Sequence, residues 1–276
     1  MRDSNTPQRT VVVGIDGSQA AIRAAEWAVD EAVSREIPLR LVQVIPEQVE
    51  PAPVASVGNV RMELEYGETS LRTASAAVEA TGKPVKVETD ILQGDPAAAL
   101  IAESRDAEMI CIGSVGVGRF AQKLLGSTAA ELAEAAHCPV AIIRSQQRQL
   151  KPHSALIVVA VNDSPDSDDV VEQAMIEARL RHAPVLALGV LQKESGDMPC
   201  DELKRRVQRW GRRHPGVKIY AGATRTEVAD FLAVMDRTIQ LAVIGSTHAD
   251  QVARLIGPHR HPILGHAECS VLIIRS

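Results

Sequence analysis

Aromatic side chains are almost missing from this chain of 276 residues: two Trp, two Tyr and two Phe, 2% in all. Its cores are therefore aliphatic, built from Val, Ile, Leu and Ala, a composition that suits parallel strands covered on both faces. Cysteine is scarce as well. Cys111, Cys138, Cys200 and Cys269 form no CxxC pair, and three of them fall in or beside strand-like runs. That argues against a disulfide framework and for reduced thiols in a cytosolic protein. No apolar run approaches the roughly 18–20 residues of a membrane span, and the opening MRDSNTPQRT lacks the apolar core of a secretion signal. There is no basic excess either. A net charge of −5 and a pI near 5.9 argue against binding nucleic acid by bulk charge.

What the chain does have is an internal repeat. CPVAIIRS, Cys138 to Ser145, returns as CSVLIIRS, Cys269 to Ser276, with six of eight positions identical at an offset of 131. ICIGS, ending at Ser114, returns as AVIGS, ending at Ser246, and VVVGIDGS, ending at Ser18, has its counterpart in LIVVAVNDS, ending at Ser164. The chain therefore reads as two copies of one unit, residues 1–147 and 153–276, joined by polar QQRQLKP, Gln146 to Pro152.

Each copy alternates strand and helix. In the first, Thr10–Ile15, Pro38–Ile45, Val85–Leu92, Ala107–Ile112 and Val140–Arg144 read as strands from their β-branched runs. Ser18 is placed to cap a helix carrying Ile22, Ala25, Val29 and Val33 on one face, Met62–Ala80 is helical, Asp95-Pro96 opens a third helix, and Thr128–Ala136 forms a fourth. In the second copy, Ala155–Val161, Pro184–Leu191, Val217–Tyr220, Leu241–Ile244 and Val271–Arg275 read as strands, and Asp163, Ser164 and Pro165 open a helix. The expected fold is α/β: two tandem, doubly wound, five-stranded parallel sheets. The pattern is compatible with strand order 2-1-3-4-5 or 3-2-1-4-5. In either, ligands bind beyond the carboxyl ends of the strands, where the order reverses.

The stretch GSVGVGRFAQKLLGST, Gly113 to Thr128, follows the fourth strand and leads into a helix. Glycines at 113 and 116 allow backbone to approach a ligand without an intervening Cβ. The first amides of the helix at Gly126, Ser127 and Thr128 lack intrahelical partners and carry partial positive charge, which makes an anion site. Arg119 and Lys123 can add charge. The loop is not a Walker A sequence, because Gly113-x4-Gly118 is followed by Arg119-Phe120. It is not a dinucleotide fingerprint either, because Ala121 stands where the third glycine belongs. Asp16, at the end of the first strand, has two readings: it helps Ser18 cap the helix, or it accepts hydrogen bonds from ribose hydroxyls or an adenine amino group.

Together these residues resemble the universal stress protein family, in its tandem actinobacterial form. The family's ATP-binding loop, G-x2-G-x9-G-[ST], is matched by Gly113, Gly116, Gly126 and Ser127, and its first-strand aspartate by Asp16 in GIDGS. The resemblance implies an adenine nucleotide alpha hydrolase-like fold with strand order 3-2-1-4-5. It implies that Asp16 and the backbone of Ile15 and Val44 hold adenosine, that Gly113 meets the ribose, and that Gly116, Gly126, Ser127 and Thr128 cradle the phosphates, with Arg119 beside them. The implied ligand is ATP, with or without Mg2+, in a cytoplasmic regulator of stress and dormancy. The implied partners are a regulatory protein and a fifth-strand pairing, made between the two halves or in a homodimer.

The second copy departs from the motif. Asn162 stands for the aspartate, His248 for Gly116 and Pro258 for Ser127, and the spacer from His248 to Gly257 is eight residues rather than nine. Proline removes an amide donor, so this half is not expected to bind ATP in the same way. His248, His259, His261 and His266 with Cys269 leave three readings: a metal site, an anion or partner contact, or ordinary surface histidines. The run Lys204, Arg205, Arg206, Arg209, Arg212 and Arg213 is either a solvated helix face or a docking surface for an acidic partner. PEQVEPAPVASVGN, Pro46 to Asn59, is either a lid over the nucleotide or a surface connection. Three functions follow: a nucleotide-dependent regulator without enzymatic activity, a slow ATPase or phosphotransferase, or a scaffold that binds no nucleotide. No Walker lysine, general base or acidic metal pair accompanies the loop.

Overall fold

The structure is a computed structural model that describes residues 9–47, 54–116, 125–144, 155–162, 167–190, 200–233, 235, 239–256 and 269–275. It divides into two compact units, Met1–Ser145 and Gln146–Ser276.

The first unit runs β1 Val11–Ile15, α1 Gln19–Arg35, β2 Leu39–Ile45, α2 Val54–Ala80, β3 Val87–Gln93, α3 Pro96–Glu103, β4 Met109–Gly113, α4 Ser127–Ala135 and β5 Val140–Ile143. Its strands are parallel in the order β3-β2-β1-β4-β5. The order reverses at the β1–β4 pair, so the crevice lies there. The second unit runs β6 Leu156–Val161, α5 Ser167–Leu180, β7 Val185–Val190, α6 Cys200–Arg213, β8 Ile219–Thr224, α7 Val228–Ala233, β9 Ile239–Gly245, a 3-10 helix over Ser246–Gln251, α8 Val252–Ile256 and β10 Ser270–Ile274. Its order, β8-β7-β6-β9-β10, is the same arrangement repeated. Of the two orders the sequence pattern permits, both units adopt 3-2-1-4-5.

The cores are aliphatic, as the composition requires. β1, β5, β6 and β10 are buried at every position. Cys111, Cys138 and Cys269 are buried and form no disulfide with one another. Among the described residues, no helix is long and apolar enough to cross a membrane.

Local signals set the helix starts. Ser18 Oγ accepts from the Ala21 N–H at 3.1 Å and caps α1. Asp95 Oδ1 accepts from the Ala98 N–H at 2.9 Å, with Pro96 in the first turn of α3. The buried face of α1 differs from the expected one. Ala21, Ala24, Ala25, Ala28, Val29 and Ala32 are buried, while Ile22 and Val33 are only half-buried. Methyl groups let the helix axis sit closer to the sheet than an Ile and Val stripe allows, so the alanines turn inward. A fully buried Glu31 on this face pairs with Arg35 at 2.6 Å, and α5 repeats the device with Glu177 and Arg181 at 3.0 Å.

Helix α2 begins at Val54 rather than at Met62. The last proline of the segment is Pro53, so nothing from Val54 onward denies the backbone its helical hydrogen bonds. The reading of Pro46–Asn59 as one open loop or lid is therefore corrected for Val54–Asn59. Residues 48–53 lie outside the described residues, as do the whole proposed linker, Gln146 to Pro152, and Asp163, Ser164 and Pro165. Strand ends also move: β3 starts two residues later than expected, and β8 runs to Thr224.

Candidate functional site

The crevice of the first unit follows from where its strands stop pairing. The β1–β4 ladder runs Val11↔Met109, Val12↔Ile110 and Val13↔Cys111 and ends there. Beyond it Gly14–Asp16 and Ile112–Gly116 separate. The β1–β2 ladder ends at Ile15↔Gln43, so Val44 and Ile45 run past the end of β1. The opening is a cavity of about 260 Å3. Its floor is apolar, with Gly14, Val42, Leu100 and Ile112, and its rim carries Asp16 on one side and Gly126, Ser127 and Thr128 on the other.

Ile15, Asp16, Val44, Gly113, Gly116, Gly126, Ser127 and Thr128, all named from the sequence, line this one cavity. Arg119 and Lys123 lie outside the described residues. Asp16 is the only charged side chain among the described lining residues.

Both readings of Asp16 meet in its position. Oδ1 accepts from the Ser18 N–H at 2.9 Å, which supports the cap of α1. Oδ2 lies where a Cβ at residue 116 would stand. Gly116 is thus the residue that leaves the carboxylate room at the crevice mouth. Gly113 has a different reason. A Cβ there would lie 2.7 Å from the Ala20 carbonyl carbon and 2.8 Å from the Ala21 nitrogen, so backbone of α1 rests directly on the end of β4. Gly126 has ordinary space around it, with φ −68° and ψ 152°.

Helix α4 presents the donors. Gly126 N–H is committed to the Ser114 carbonyl at 2.8 Å, and the first intrahelical bond runs from Ala130 to Gly126. The amides of Ser127, Thr128 and Ala129 have no partner among the described residues, and no side chain caps this end. These three amides, with two hydroxyls, carry the positive end of the helix dipole into the cavity. The arrangement offers hydrogen-bond donors suited to an anion at one end and a carboxylate acceptor at the other, with an apolar floor between them.

Sequence reasoning missed Gly14, Leu100 and Tyr66. Gly14 pairs with Val42 in the β1–β2 ladder and so shares its face; a Cβ there would stand 3.0 Å from Leu100 Cδ1. Parity along β1 signals that face, but not which helix covers it. Tyr66, on α2, donates from its hydroxyl to the Asp16 carbonyl at 3.0 Å. Fifty positions separate the two, and no local pattern announces the contact.

The second unit has no matching cradle among the described residues. β9 passes through Gly245 straight into the 3-10 helix, and His248 sits inside it, half-buried, with Nδ1 3.1 Å from Thr247 Oγ1. Burial pushes the imidazole below its ordinary range, against the opposing pull of Asp250. No cluster of three or more His, Cys, Asp or Glu able to hold a metal occurs among the described residues; His259, His261, His266 and Pro258 lie outside them.

Comparison with known proteins identifies the family. The model of the universal stress protein family matches residues 8–144. A universal stress protein of Mycobacterium tuberculosis is 54% identical over 267 residues, 97% of this chain and 96% of the relative. A second from the same organism is 39% identical over 277 residues, covering 99% and 98%. The crystal structure of a universal stress protein from Archaeoglobus fulgidus superposes with a TM-score of 0.71 over 96% of both chains at 18% identity, which is a likeness of fold. With relatives 54% and 39% identical over nearly the whole of both chains, this chain belongs to the universal stress protein family.

Proposed function

We propose that the first unit binds an adenine nucleotide, with ATP favoured, and that occupancy makes the protein a nucleotide-dependent regulator of the stress response. The observation that carries this reading is the convergence on one cavity of Asp16, Gly116 and the amides of Ser127, Thr128 and Ala129, which have no partner among the described residues. A ligand that satisfies both ends needs an anion at one, hydroxyl or amino donors at the other, and an apolar plane between them. A nucleotide has all three. The length of the G-x9-G loop favours a polyphosphate over a single phosphate, with Mg2+ arriving on the ligand rather than on the protein.

The same inventory supports a sensor over an enzyme. The cavity's only described charged side chain is Asp16, whose Oδ1 is engaged by the Ser18 amide, so no carboxylate is left over as a general base. The second unit serves pairing or another signal rather than a second ATP site: Asn162 replaces the carboxylate, and a 3-10 helix follows β9.

Mass spectrometry of small molecules released from freshly purified protein, followed by titration with ATP, tests the reading. The expected result is an adenine nucleotide at one site per chain without turnover above background. Two equivalent sites would remove the assignment to the first unit. Turnover lost in both Asp16 and Gly116 variants would favour the slow ATPase, and no binding of any adenine nucleotide would favour the scaffold.

A further inference from the structure

Tyr66 and Arg206 occupy corresponding places in the two units. Each lies on the second helix of its unit, α2 or α6. Each donates to the main-chain carbonyl of the residue that follows the first strand: Tyr66 Oη to Asp16 O at 3.0 Å, and Arg206 Nη1 to Asn162 O at 3.0 Å. The repeat preserves the contact while changing the residue that makes it.

The settings differ. Arg206 is locked: Nη2 also bonds Asp168 Oδ1 at 3.1 Å, the guanidinium stands 5.0 Å from the Trp210 ring centroid, and the side chain is 13% exposed. Among the described residues Tyr66 makes one neutral hydrogen bond, and it is 45% exposed. Its hydroxyl fills the space where a Cβ at Gly17 would stand, beside Ser70 Oγ, and Gly17 takes a left-handed φ of 81°. The Asp16-Gly17-Ser18 turn is therefore held from two sides, by Tyr66 on the Asp16 carbonyl and by the Ser18 amide on the Asp16 carboxylate.

We propose that Tyr66 is a positioning residue of the nucleotide site: its hydroxyl fixes the turn that aims the Asp16 carboxylate into the space left by Gly116. The inference rests on the nucleotide reading for its functional consequence and on the turn geometry for its structural one. Occupancy of the crevice then favours the docked position of α2, because the coupling between a ligand on Asp16 and a hydroxyl on the Asp16 carbonyl is reciprocal. The second unit, without the carboxylate, keeps only the structural lock.

The test compares the full chain with its Tyr66→Phe variant, titrated with ATP and with 2′,3′-dideoxy-ATP, and melted without ligand. The ring still packs in Tyr66→Phe, so the ligand-free melting temperature stays within about 2 °C, while ATP affinity falls about tenfold, the equivalent of one hydrogen bond. The loss shrinks for the dideoxy analogue, which has no ribose hydroxyls for Asp16 to accept from. Unchanged ATP affinity, or an equal loss for both nucleotides, overturns the proposal. Arg206→Met is the control: it lowers the melting temperature and leaves ATP affinity unchanged, and a matching loss of affinity there would assign the Tyr66 effect to general loosening. If wild-type protein takes neither nucleotide, the nucleotide reading falls and the latch is judged by hydrogen exchange at the Ser18 amide. Faster exchange in Tyr66→Phe supports it, and unchanged exchange overturns it.

Discussion

The carboxylate of Asp16 stands in the space that any side chain at residue 116 would need. Two residues a hundred positions apart are therefore one device: the glycine is small so that the acid has somewhere to be. Gly116 is exposed at the crevice mouth, and its Cβ would meet the flexible end of a side chain rather than backbone. Gly116→Ala is therefore expected to displace Asp16 without unfolding the unit. Calorimetric titration with ATP should show affinity down by about tenfold or more, the scale of one charged hydrogen bond, with a melting curve close to wild type. Wild-type affinity in this variant would separate Asp16 from the ligand.

Gly113 is expected to fail in the opposite way. Its Cβ would meet the backbone of Ala20 and Ala21 at 2.7 and 2.8 Å, and backbone anchored in a capped helix cannot step aside as a side chain can. Gly113→Ala should cost about 1–3 kcal/mol or more through overpacking, seen as a clear fall in melting temperature. Among the described residues a Cβ at Gly126 would meet only ordinary contacts, the nearest at 3.6 Å, in an ordinary extended conformation, so the melting temperature of Gly126→Ala should stay near that of wild type. Three glycines of one motif thus serve three ends, and thermal melts of the three alanine variants separate them.

That separation marks what a sequence can carry. The strands, the caps at Ser18 and Asp95-Pro96, and the repeat are local patterns and were legible. The motif spacing singled out Gly113, Gly116, Gly126 and Ser127, and the structure gathers them on one cavity. The reason for Gly113 was not legible, because it lies in the backbone of a helix that begins 94 positions earlier, at Gln19. Tyr66 on Asp16, and Leu100 against Gly14, were hidden for the same reason. The start of α2 was obscured by prolines that end just before it. The inward turn of alanines on α1 followed from how near the helix sits to the sheet, which hydrophobicity alone does not report.

Glu31 and Glu177 test the repeat at the level of energetics. Both side chains are fully buried, and each pairs one turn on, with Arg35 at 2.6 Å and Arg181 at 3.0 Å. Glu177 also accepts from Gln173 Nε2 at 2.9 Å. Removing a cation leaves a buried carboxylate under-compensated, at a cost of about 3 kcal/mol. Arg35→Met should therefore destabilise strongly. Arg181→Met should destabilise as well, with Gln173 Nε2 still on Glu177. Denaturant melts of the two variants measure both losses, and wild-type stability in either variant would refute the prediction.

Ser127 offers a way to make the first unit resemble the second without harming its fold. It is the first residue of α4, where proline is tolerated because that N–H has no intrahelical partner and its φ suits the helix. Gly126 before it already has ψ 152°, the extended conformation a following proline demands. Ser127→Pro therefore reproduces the change to Pro258, deleting one amide and one hydroxyl from the anion cradle while leaving α4 intact. Melting temperature should hold or rise slightly. Affinity for ATP should fall about tenfold or more, and affinity for adenosine, which brings no phosphate to α4, should stay unchanged. Equal losses for ATP and adenosine would mean that the phosphates do not sit on the α4 amides, and the cradle would have to be sought elsewhere in the crevice.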